Sequence, residues 1–384
     1  MEGKDVRVGI DARFITRHPR RGIGNYSLNV VAELVRLSPE TEFFLYISAP
    51  DHEGILPRAA NVTVRRLTTP AYPFWEQLAL PRAARHDHLD ILHCLGNTAP
   101  VIMPRGIKLV LSLMDVMFLQ TGEFVPKPTN NYQALGRIYR RAVVPRCTLS
   151  ADRVITISEY SRRDILDLIP NLDPERVSVT FLSCDAIFKQ AVKEQPQNSV
   201  TGRSPYILTL GANDPRKNTL RLVKAYLALW KKHEIDEQLV ISGYANWENS
   251  EAYRVVKNAG ATDRVKFLSF ISIEELADLY RNATFFVYPS LYEGFGIPLL
   301  EAFSAKCPVL ASNTTSIPEV GGDAALYVDP LNQDSIEQAM YQLIHDDKLR
   351  QSLADRGYAR ALEFTWTETA RKTLSIYQHC MSEK

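Results

Sequence analysis

The feature that most limits the fold of this chain is the alternation of short apolar strands with helical segments. Strands that alternate with helices form parallel sheets covered by helices on both faces, and ligands bind beyond the carboxyl ends of those strands. A chain of 384 residues is long for one hydrophobic core and sufficient for two. The predicted strands of the first half are residues 6–10, 43–47, 62–67, 91–93, 108–113, 153–157 and 177–181.

A polar and charged segment, residues 186–204, separates two halves that begin in the same way, with a strand, a glycine-containing turn and a helix. We therefore predict a first domain of residues 1–185, a linker of residues 186–204 and a second domain of residues 205–360. A mostly helical final segment, residues 361–384, follows. The predicted strands of the second half are residues 206–210, 238–242, 265–267, 285–288, 308–311 and 325–328.

Composition and charge narrow the class of protein. The net charge of +1 gives no electrostatic reason to expect nucleic acid as a partner. The five cysteines are scattered, without the spacing of a zinc site or a disulfide framework, which favours a reducing cytoplasm. No apolar run has the length of a signal-peptide core or a membrane span. We expect a soluble cytoplasmic protein, with peripheral contact at the inner face of the cell membrane left open.

Residues 284–301 contain the clearest candidate site. An apolar strand ends at Pro289, a turn with two glycines follows, and Pro298 begins a helix. Unpaired N–H groups at a helix N-terminus, together with the helix dipole, suit an anionic ligand. Glu293 and Glu301 lie on either side of this turn and could accept hydrogen bonds from hydroxyl groups. The alternative is an ordinary strand-to-helix junction in which Glu301 is solvated.

Residues 211–218 form a second candidate, directly after the first strand of the second half. Gly211 and Asn213 precede two adjacent cations, Arg216 and Lys217. An arginine offers a bidentate fork and a lysine a point charge, so the pair could neutralise a diphosphate. The alternative is two solvated basic residues.

The first half carries weaker signals. Gly22 and Gly24 lie in a predicted basic loop before a helix that starts at residue 26. A strand, a glycine loop and a helix could approach a phosphate, although a tight turn explains the same pattern. Asp11, Asn97 and Asp115 follow predicted strands and could face a ligand.

Residues 131–149 form a long predicted helix with several arginines, and Ser158 is placed to cap the next helix. A helix face exposed to solvent is the ordinary explanation for these basic residues. A surface that meets anionic lipid, or a lipid-linked acceptor, is the alternative. The arginines are Arg137, Arg140, Arg141 and Arg146.

The motif PSLYEGFGIPLLEA, residues 289–302, resembles the E-x7-E signature of GT4 retaining glycosyltransferases of the GT-B fold. The resemblance extends over most of the chain and includes Lys217 and the block SIPEVGGDAALYVDP, residues 316–330. It implies an α/β fold of two Rossmann-like, doubly wound parallel-sheet domains facing a central cleft. It also implies that the final helix, around residues 367–378, crosses back to pack on the first domain.

The resemblance implies transfer of a hexose from a nucleotide-diphosphate sugar to a saccharide or lipid-linked acceptor, in polysaccharide or lipopolysaccharide synthesis. Mannose from GDP-mannose is the first expectation. Glu293 would bind sugar hydroxyls and Glu301 ribose hydroxyls, and neither a cofactor nor a metal would be needed. The diphosphate would be held by Arg216 and Lys217. The other donor-binding candidates are Gly22, Gly24, Gly211, Asn213, Gly243, Gly294, Phe295, Gly296 and Ile297.

Two positions depart from the family pattern. Ala212 stands where many members have an arginine, and Met114 stands where many have a histidine, which leaves Asp115 as the polar candidate there. These departures keep two alternatives open. One is a weakened transferase that senses a nucleotide sugar, and the other is a sugar-nucleotide epimerase of the same fold.

Overall fold

The computed structural model describes residues 6–17, 22–120, 131–190 and 204–382. They divide into two compact units. The first contains the described residues up to 182 together with those from 365 onward, and the second contains residues 183–364. The prediction of an α/β fold with parallel, doubly wound sheets is confirmed in each unit.

The first unit contains a sheet of seven parallel strands in the order β3-β2-β1-β4-β5-β6-β7. The residues of β4 and β6 are buried throughout, because helices cover both faces of the sheet. In β1, Asp11 pairs in register with Tyr46 and Cys94, so the carboxyl ends of three strands lie side by side. The strands are β1 (Arg7–Asp11), β2 (Glu42–Ile47), β3 (Val62–Arg66), β4 (Ile91–Cys94), β5 (Lys108–Ser112), β6 (Arg153–Thr156) and β7 (Val177–Val179).

The first helix begins earlier than the sequence predicts. Helix α1 starts at Gly22, so Gly22 and Gly24 belong to its first turn and the prediction that they form a loop is wrong. Gly24 is buried, and the Ser27 hydroxyl donates to the Ile23 carbonyl at 2.7 Å. Packing in the core therefore outweighs the low helix propensity of glycine.

The other helices of this part of the chain follow the predictions more closely. Ser158 caps α5, because its hydroxyl accepts a hydrogen bond from the Ser161 N–H at 2.9 Å. The π-helical turn Trp75–Ala79 joins α2 to α3. The helices are α1 (Gly22–Leu37), α2 (Tyr72–Phe74), α3 (Leu80–His86), α4 (Asn131–Ser150) and α5 (Glu159–Leu168).

The second unit contains a sheet of six parallel strands in the order β10-β9-β8-β11-β12-β13. Its core consists of buried aliphatic and aromatic side chains between the sheet and its helices. The strands are β8 (Tyr206–Leu210), β9 (Gln238–Ser242), β10 (Val265–Phe267), β11 (Phe285–Tyr288), β12 (Val309–Ser312) and β13 (Leu326–Val328). The helices are α6 (Thr219–His233), α7 (Glu251–Asn258), α8 (Ile273–Asn282), α9 (Ile297–Ser304), α10 (Ile317–Gly321), α11 (Gln333–His345) and α12 (Asp347–Leu362).

The beginning of the predicted linker is packed. Residues Ala186–Lys189 form a 3-10 turn in which Phe188 is buried against Tyr280, with ring centroids 5.9 Å apart. Arg281 Nη2 donates to the Ile187 carbonyl at 2.6 Å. Residues 191–203 lie outside the described chain, so the rest of the predicted linker is not described.

The last helix, α13 (Trp366–Ser382), belongs to the first unit and packs along α1. Thr367 Oγ1 donates to Glu33 Oε2 of α1 at 2.7 Å. The Tyr377 hydroxyl lies 2.6 Å from Nδ1 of the buried His93. Polar contacts between residues far apart in sequence therefore fix the end of the chain to the first unit.

Candidate active site

The loop after β11 has a geometry that a glycine makes possible. Gly296 caps the N-terminus of α9 with a φ of 113°, which is in the region that favours glycine. Ile297 is the first residue of α9, and Pro298 lies in its first turn, where a missing N–H costs nothing. Helix α9 therefore begins within one residue of the position that the sequence predicts, directly after the turn with two glycines.

The predicted cationic segment folds against this loop. Residues Pro215–Lys217 form a 3-10 turn, which the Asp214 side chain caps by accepting from the Arg216 N–H at 3.0 Å. The Leu291 N–H donates to the Arg216 carbonyl at 2.7 Å. This backbone hydrogen bond joins two segments that lie about 75 residues apart in the sequence.

Lys217 and Glu293 form an ion pair in the second unit. Lys217 Nζ lies 2.7 Å from Glu293 Oε1, with 24% and 15% of the two side chains exposed. The same ammonium lies 5.3 Å from the centroid of the Tyr288 ring, which is within range of a cation–π contact. The structure therefore brings together two residues that the sequence predicts for one site.

Arg216 has a different environment from the one expected. Its Nε lies 3.1 and 3.0 Å from the two carboxylate oxygens of Asp214, in a chelating geometry. Arg216 and Lys217 therefore each have a carboxylate partner, Asp214 and Glu293, which offsets part of the positive charge that the sequence assigns to a ligand. The sequence does not predict the Arg216–Asp214 ion pair, because an aspartate in a predicted turn is explained by the turn alone.

Glu301 lies on α9 and keeps part of its surface exposed. Its Oε2 accepts a hydrogen bond from the Tyr280 hydroxyl at 3.1 Å. Loss of water around the carboxylate raises its pKa to about 7, and the hydrogen bond and the charge of Lys217 oppose that rise only in part. A carboxyl group with this pKa titrates close to neutral pH.

A second loop supports the first, and sequence reasoning missed its role. The Ser316 hydroxyl donates to the carbonyls of Glu293 and Phe295, each at 2.9 Å. The Glu293 N–H donates to Thr315 Oγ1 at 3.2 Å, and Thr315 has a φ of 59°, which is rare for a β-branched residue. Ser316 is the first residue of the block at 316–330 that resembles the family, and Thr315 precedes it, but the sequence does not show that either residue contacts the loop after β11.

The remaining predicted residues of the second unit lie in the loops that follow β8, β9 and β11. A Cβ on Gly211 would lie 2.3 Å from Ile241 Cγ2, so only glycine fits there. Asn213 Nδ2 donates to the Ala245 carbonyl at 3.2 Å, and Gly243 has a φ of 80°. Gly294 and Phe295 lie in the loop before α9, and Phe295 packs its ring on Phe364.

The candidates Asn97 and Asp115 belong to the first unit, whereas Lys217 and Glu293 belong to the second. Asp115 Oδ1 accepts from the Met117 N–H at 3.2 Å, and the Met114 N–H donates to Asn97 Oδ1 at 2.7 Å. Met114 is buried, and Asn97 has a φ of 65°. Asn97 and Asp115 therefore hold the turn after β5 through hydrogen bonds to backbone N–H groups, and the prediction that they face a ligand stays a prediction.

No group of three or more His, Cys, Asp and Glu side chains in the described part of the chain is arranged to hold a metal ion. No described helix combines the length and apolar character needed to cross a membrane.

Each unit contains a doubly wound parallel sheet, and the second unit has a lysine–glutamate pair beside a glycine-capped helix start. A sucrose-phosphate synthase from Thermosynechococcus elongatus shares the fold with a TM-score of 0.74 at 17% identity, covering 99% of this chain and all of that one. The family described as "Glycosyltransferase Family 4" matches residues 20–182, and "Glycosyl transferases group 1" matches residues 191–360.

The protein belongs to the GT4-type glycosyltransferases. It is 31% identical to the O-antigen chain mannosyltransferase B of Escherichia coli, over 94% of this chain and 97% of that relative. It is also 31% identical to the O-antigen chain mannosyltransferase RfbU of Salmonella typhimurium, over 72% of this chain and 70% of the relative.

Proposed function

We propose that this glycosyltransferase moves mannose from GDP-mannose to a saccharide acceptor, with retention of the anomeric configuration, in O-antigen or related polysaccharide synthesis. The names of two relatives that match most of the chain support the sugar and the process. The Lys217–Glu293 pair beside the start of α9 carries the proposal, because it supplies a cation for a diphosphate and an acceptor for sugar hydroxyls.

The second unit would bind the donor. Lys217 and the N–H groups at the start of α9 would stabilise the departing diphosphate, where negative charge increases in the transition state. Glu293 would accept hydrogen bonds from the sugar, and Glu301 would accept them from the ribose. In our proposal these groups, together with Arg216, would stabilise the leaving diphosphate without a metal ion.

The bond changes follow from retention. The acceptor hydroxyl oxygen bonds to the anomeric carbon on the face from which the diphosphate leaves, and the carbon–phosphate oxygen bond breaks. The acceptor proton passes to an oxygen of the departing diphosphate. No protein base is then required.

A donor panel tests the proposal. The purified chain is mixed with a mannose disaccharide as acceptor and with GDP-mannose, UDP-glucose or ADP-glucose, and both thermal shift and release of nucleoside diphosphate are measured, with EDTA and with Mg²⁺. We expect GDP-mannose to give the largest shift and turnover, equal rates in EDTA and Mg²⁺, and an α-linked product by NMR. Binding without transfer or hydrolysis of any donor would instead support a nucleotide-sugar sensor.

Two variants separate the roles of the paired residues. Lys217→Ala should weaken GDP binding about tenfold or more, which is about 1.4 kcal/mol. Glu293→Gln should lower kcat by about a hundredfold while GDP binding persists, because one transition-state hydrogen bond contributes on that scale. Lys232→Ala changes an exposed lysine elsewhere and serves as the control. Unaltered rate and affinity in both site variants would refute the assignment.

We further propose that α4 contacts an anionic membrane surface on which a lipid-linked acceptor lies. Leu135 and Ile138 are 66% and 65% exposed on this helix, and Arg140 and Arg141 are exposed beside them. An apolar stripe flanked by cations is typical of helices that lie in the membrane interface.

A further inference from the structure

Tyr288, the last residue of β11, lies beneath the lysine–glutamate pair of the second unit. The residue is 1% exposed, and its ring stacks on Phe286, with centroids 5.7 Å apart and planes 26° from parallel. A Cβ built on Gly296 would meet the edge of the ring at 3.8 Å, so the turn before α9 lies against it. The strand and the turn together fix the position of the ring.

The Tyr288 hydroxyl is a buried donor that the described part of the chain leaves unsatisfied. It makes no hydrogen bond of normal geometry within these residues, and the Ser290 hydroxyl, which is also buried, makes none either. Burial raises the pKa of Tyr288 well above its ordinary value, and the charge of the nearby Glu293 carboxylate raises it further, so the phenol keeps its proton. Buried donors nearly always have an acceptor. A partner that arrives in another state of the site would complete the set.

Lys217 and Glu293 satisfy each other in this structure. Lys217 Nζ lies 2.7 Å from Glu293 Oε1, and the side chains are only 24% and 15% exposed, so water screens the pair weakly. In the proposed function, the diphosphate of the donor requires the ammonium and the sugar hydroxyls require the carboxylate. The pair must therefore separate when a donor binds, and Glu293 then loses the cation that balanced its charge.

The backbone of Glu293 is fixed, so this separation is a movement of the side chain. The Glu293 N–H donates to Thr315 Oγ1 at 3.2 Å, and its carbonyl accepts from the Ser316 hydroxyl at 2.9 Å. Lys217 Nζ lies 5.3 Å from the centroid of the Tyr288 ring. The same tyrosine therefore contacts the lysine with its ring and has its hydroxyl near the glutamate.

We propose that Glu293 exchanges partners during the reaction cycle. It pairs with Lys217 before a donor binds, and it turns to the Tyr288 hydroxyl and the sugar hydroxyls when the diphosphate contacts Lys217. Once the sugar has left, Glu293 returns to Lys217 and displaces the nucleoside diphosphate. Tyr288 is a positioning residue in this exchange, because it acts on the substrate through Glu293. The inference rests on the proposed function and adds the way in which the product is released.

Tyr288→Phe removes the hydroxyl and keeps the ring. Its affinity for GDP-mannose should fall about tenfold, the scale of a hydrogen bond to a charged group, while its affinity for GDP stays the same. A role in folding alone would not separate the two ligands. The melting temperature should not fall, because the hydroxyl makes no hydrogen bond among the described residues. Tyr341→Phe, at a residue of α11 that is 39% exposed, is the matched control.

Glu293→Gln tests the return of Glu293 to the lysine. The amide carries no charge that competes for Lys217, so GDP should bind about threefold more tightly, the scale of a partly exposed ion pair, and should dissociate more slowly. Calorimetry on the full chain without acceptor measures the Kd values for GDP and GDP-mannose. Stopped-flow displacement of a fluorescent guanine nucleotide measures the dissociation rate, and circular dichroism checks the fold of each variant.

Three results would overturn the inference and leave the proposed function intact. One is a Tyr288→Phe variant whose affinities for GDP and GDP-mannose change equally or not at all. Another is a fall in the melting temperature of that variant, because the hydroxyl would then already be bonded before a donor binds. The third is a Glu293→Gln variant that binds GDP no more tightly than the wild type does. A wild-type chain that binds neither ligand and transfers no sugar would instead refute the proposed function, and the inference with it.

Discussion

At the scale of single residues, we expect Glu301 to make the proposed donor binding depend on pH. Its pKa of about 7 exceeds the ordinary glutamate value of 4.5, because the protein removes water from the carboxylate. The unfolded chain therefore loses this proton at a lower pH than the folded chain does. The contribution of Glu301 to stability is present at acidic pH and is lost as the pH rises through about 7.

The same pKa predicts how donor affinity changes. The ionised carboxylate accepts hydrogen bonds from both ribose hydroxyls, so binding should favour that form. Between pH 8 and pH 6, the ionised fraction falls about tenfold, and we expect the Kd for GDP-mannose to rise by a similar factor. Isothermal titration calorimetry at several pH values measures it.

Glu301→Gln is the matched control, because the amide keeps the shape and cannot ionise. Its affinity for GDP-mannose should be lower at pH 8 and nearly constant down to pH 6. A wild-type profile without slope, or an equal slope in the glutamine variant, would remove Glu301 from the ribose contact.

At the scale of elements, the two strand-to-helix loops of the second unit act as one structure. The Leu291 N–H bonds to the Arg216 carbonyl, and the Asn218 side chain donates to the Pro289 carbonyl at 3.1 Å. Strand positions 238–242, 265–267 and 285–288 were predicted with the bounds that the structure has, because apolar runs bounded by turn residues mark them. The start of α1 was predicted at residue 26 and lies at Gly22, because the low helix propensity of glycine favours a loop there and core packing favours the helix.

Helix α4 carries the prediction of membrane contact. Ile138→Asp replaces an exposed apolar side chain with a negative charge, which costs roughly 2 kcal/mol or more in lost burial and repulsion by anionic lipid. We expect at least a tenfold loss of binding to vesicles containing phosphatidylglycerol, measured by sedimentation.

Leu331→Asp is the control for this experiment. Leu331 is 56% exposed in the second unit, outside α4, and should tolerate the charge without change in vesicle binding. Equal binding by the wild type and Ile138→Asp would show that α4 does not meet the membrane.

At the scale of the whole molecule, the first unit is built from distant parts of the chain. His93 of β4 lies between the Tyr377 hydroxyl of α13 and the Ser112 hydroxyl of β5, at 2.6 and 2.8 Å. Burial lowers the His93 pKa to about 3, so the ring is neutral at physiological pH. This network attaches the last helix to the sheet.

Tyr377→Phe tests that attachment. The change leaves one buried polar atom of His93 without its partner, and we expect a loss of about 1–3 kcal/mol in unfolding free energy. Hydrogen exchange should increase in peptides from α1 and α13. Tyr341→Phe, at a residue 39% exposed, is the control and should change neither quantity. Unchanged exchange in Tyr377→Phe would show that this hydrogen bond does not hold α13.

The sequence by itself predicted the two parallel sheets, placed most strands to within one or two residues, and singled out Lys217 and Glu293, which the structure brings together. It could do so because local periodicity, turn residues and motif spacing act over a few neighbouring positions. Only the tertiary structure decided that Arg216 binds Asp214, that Tyr280 bonds Glu301 and that Glu76 joins Tyr72 to Tyr139. Those contacts depend on which side chains folding brings together and on the water it removes, and two of them, Tyr280–Glu301 and Glu76–Tyr139, join residues that are far apart along the chain.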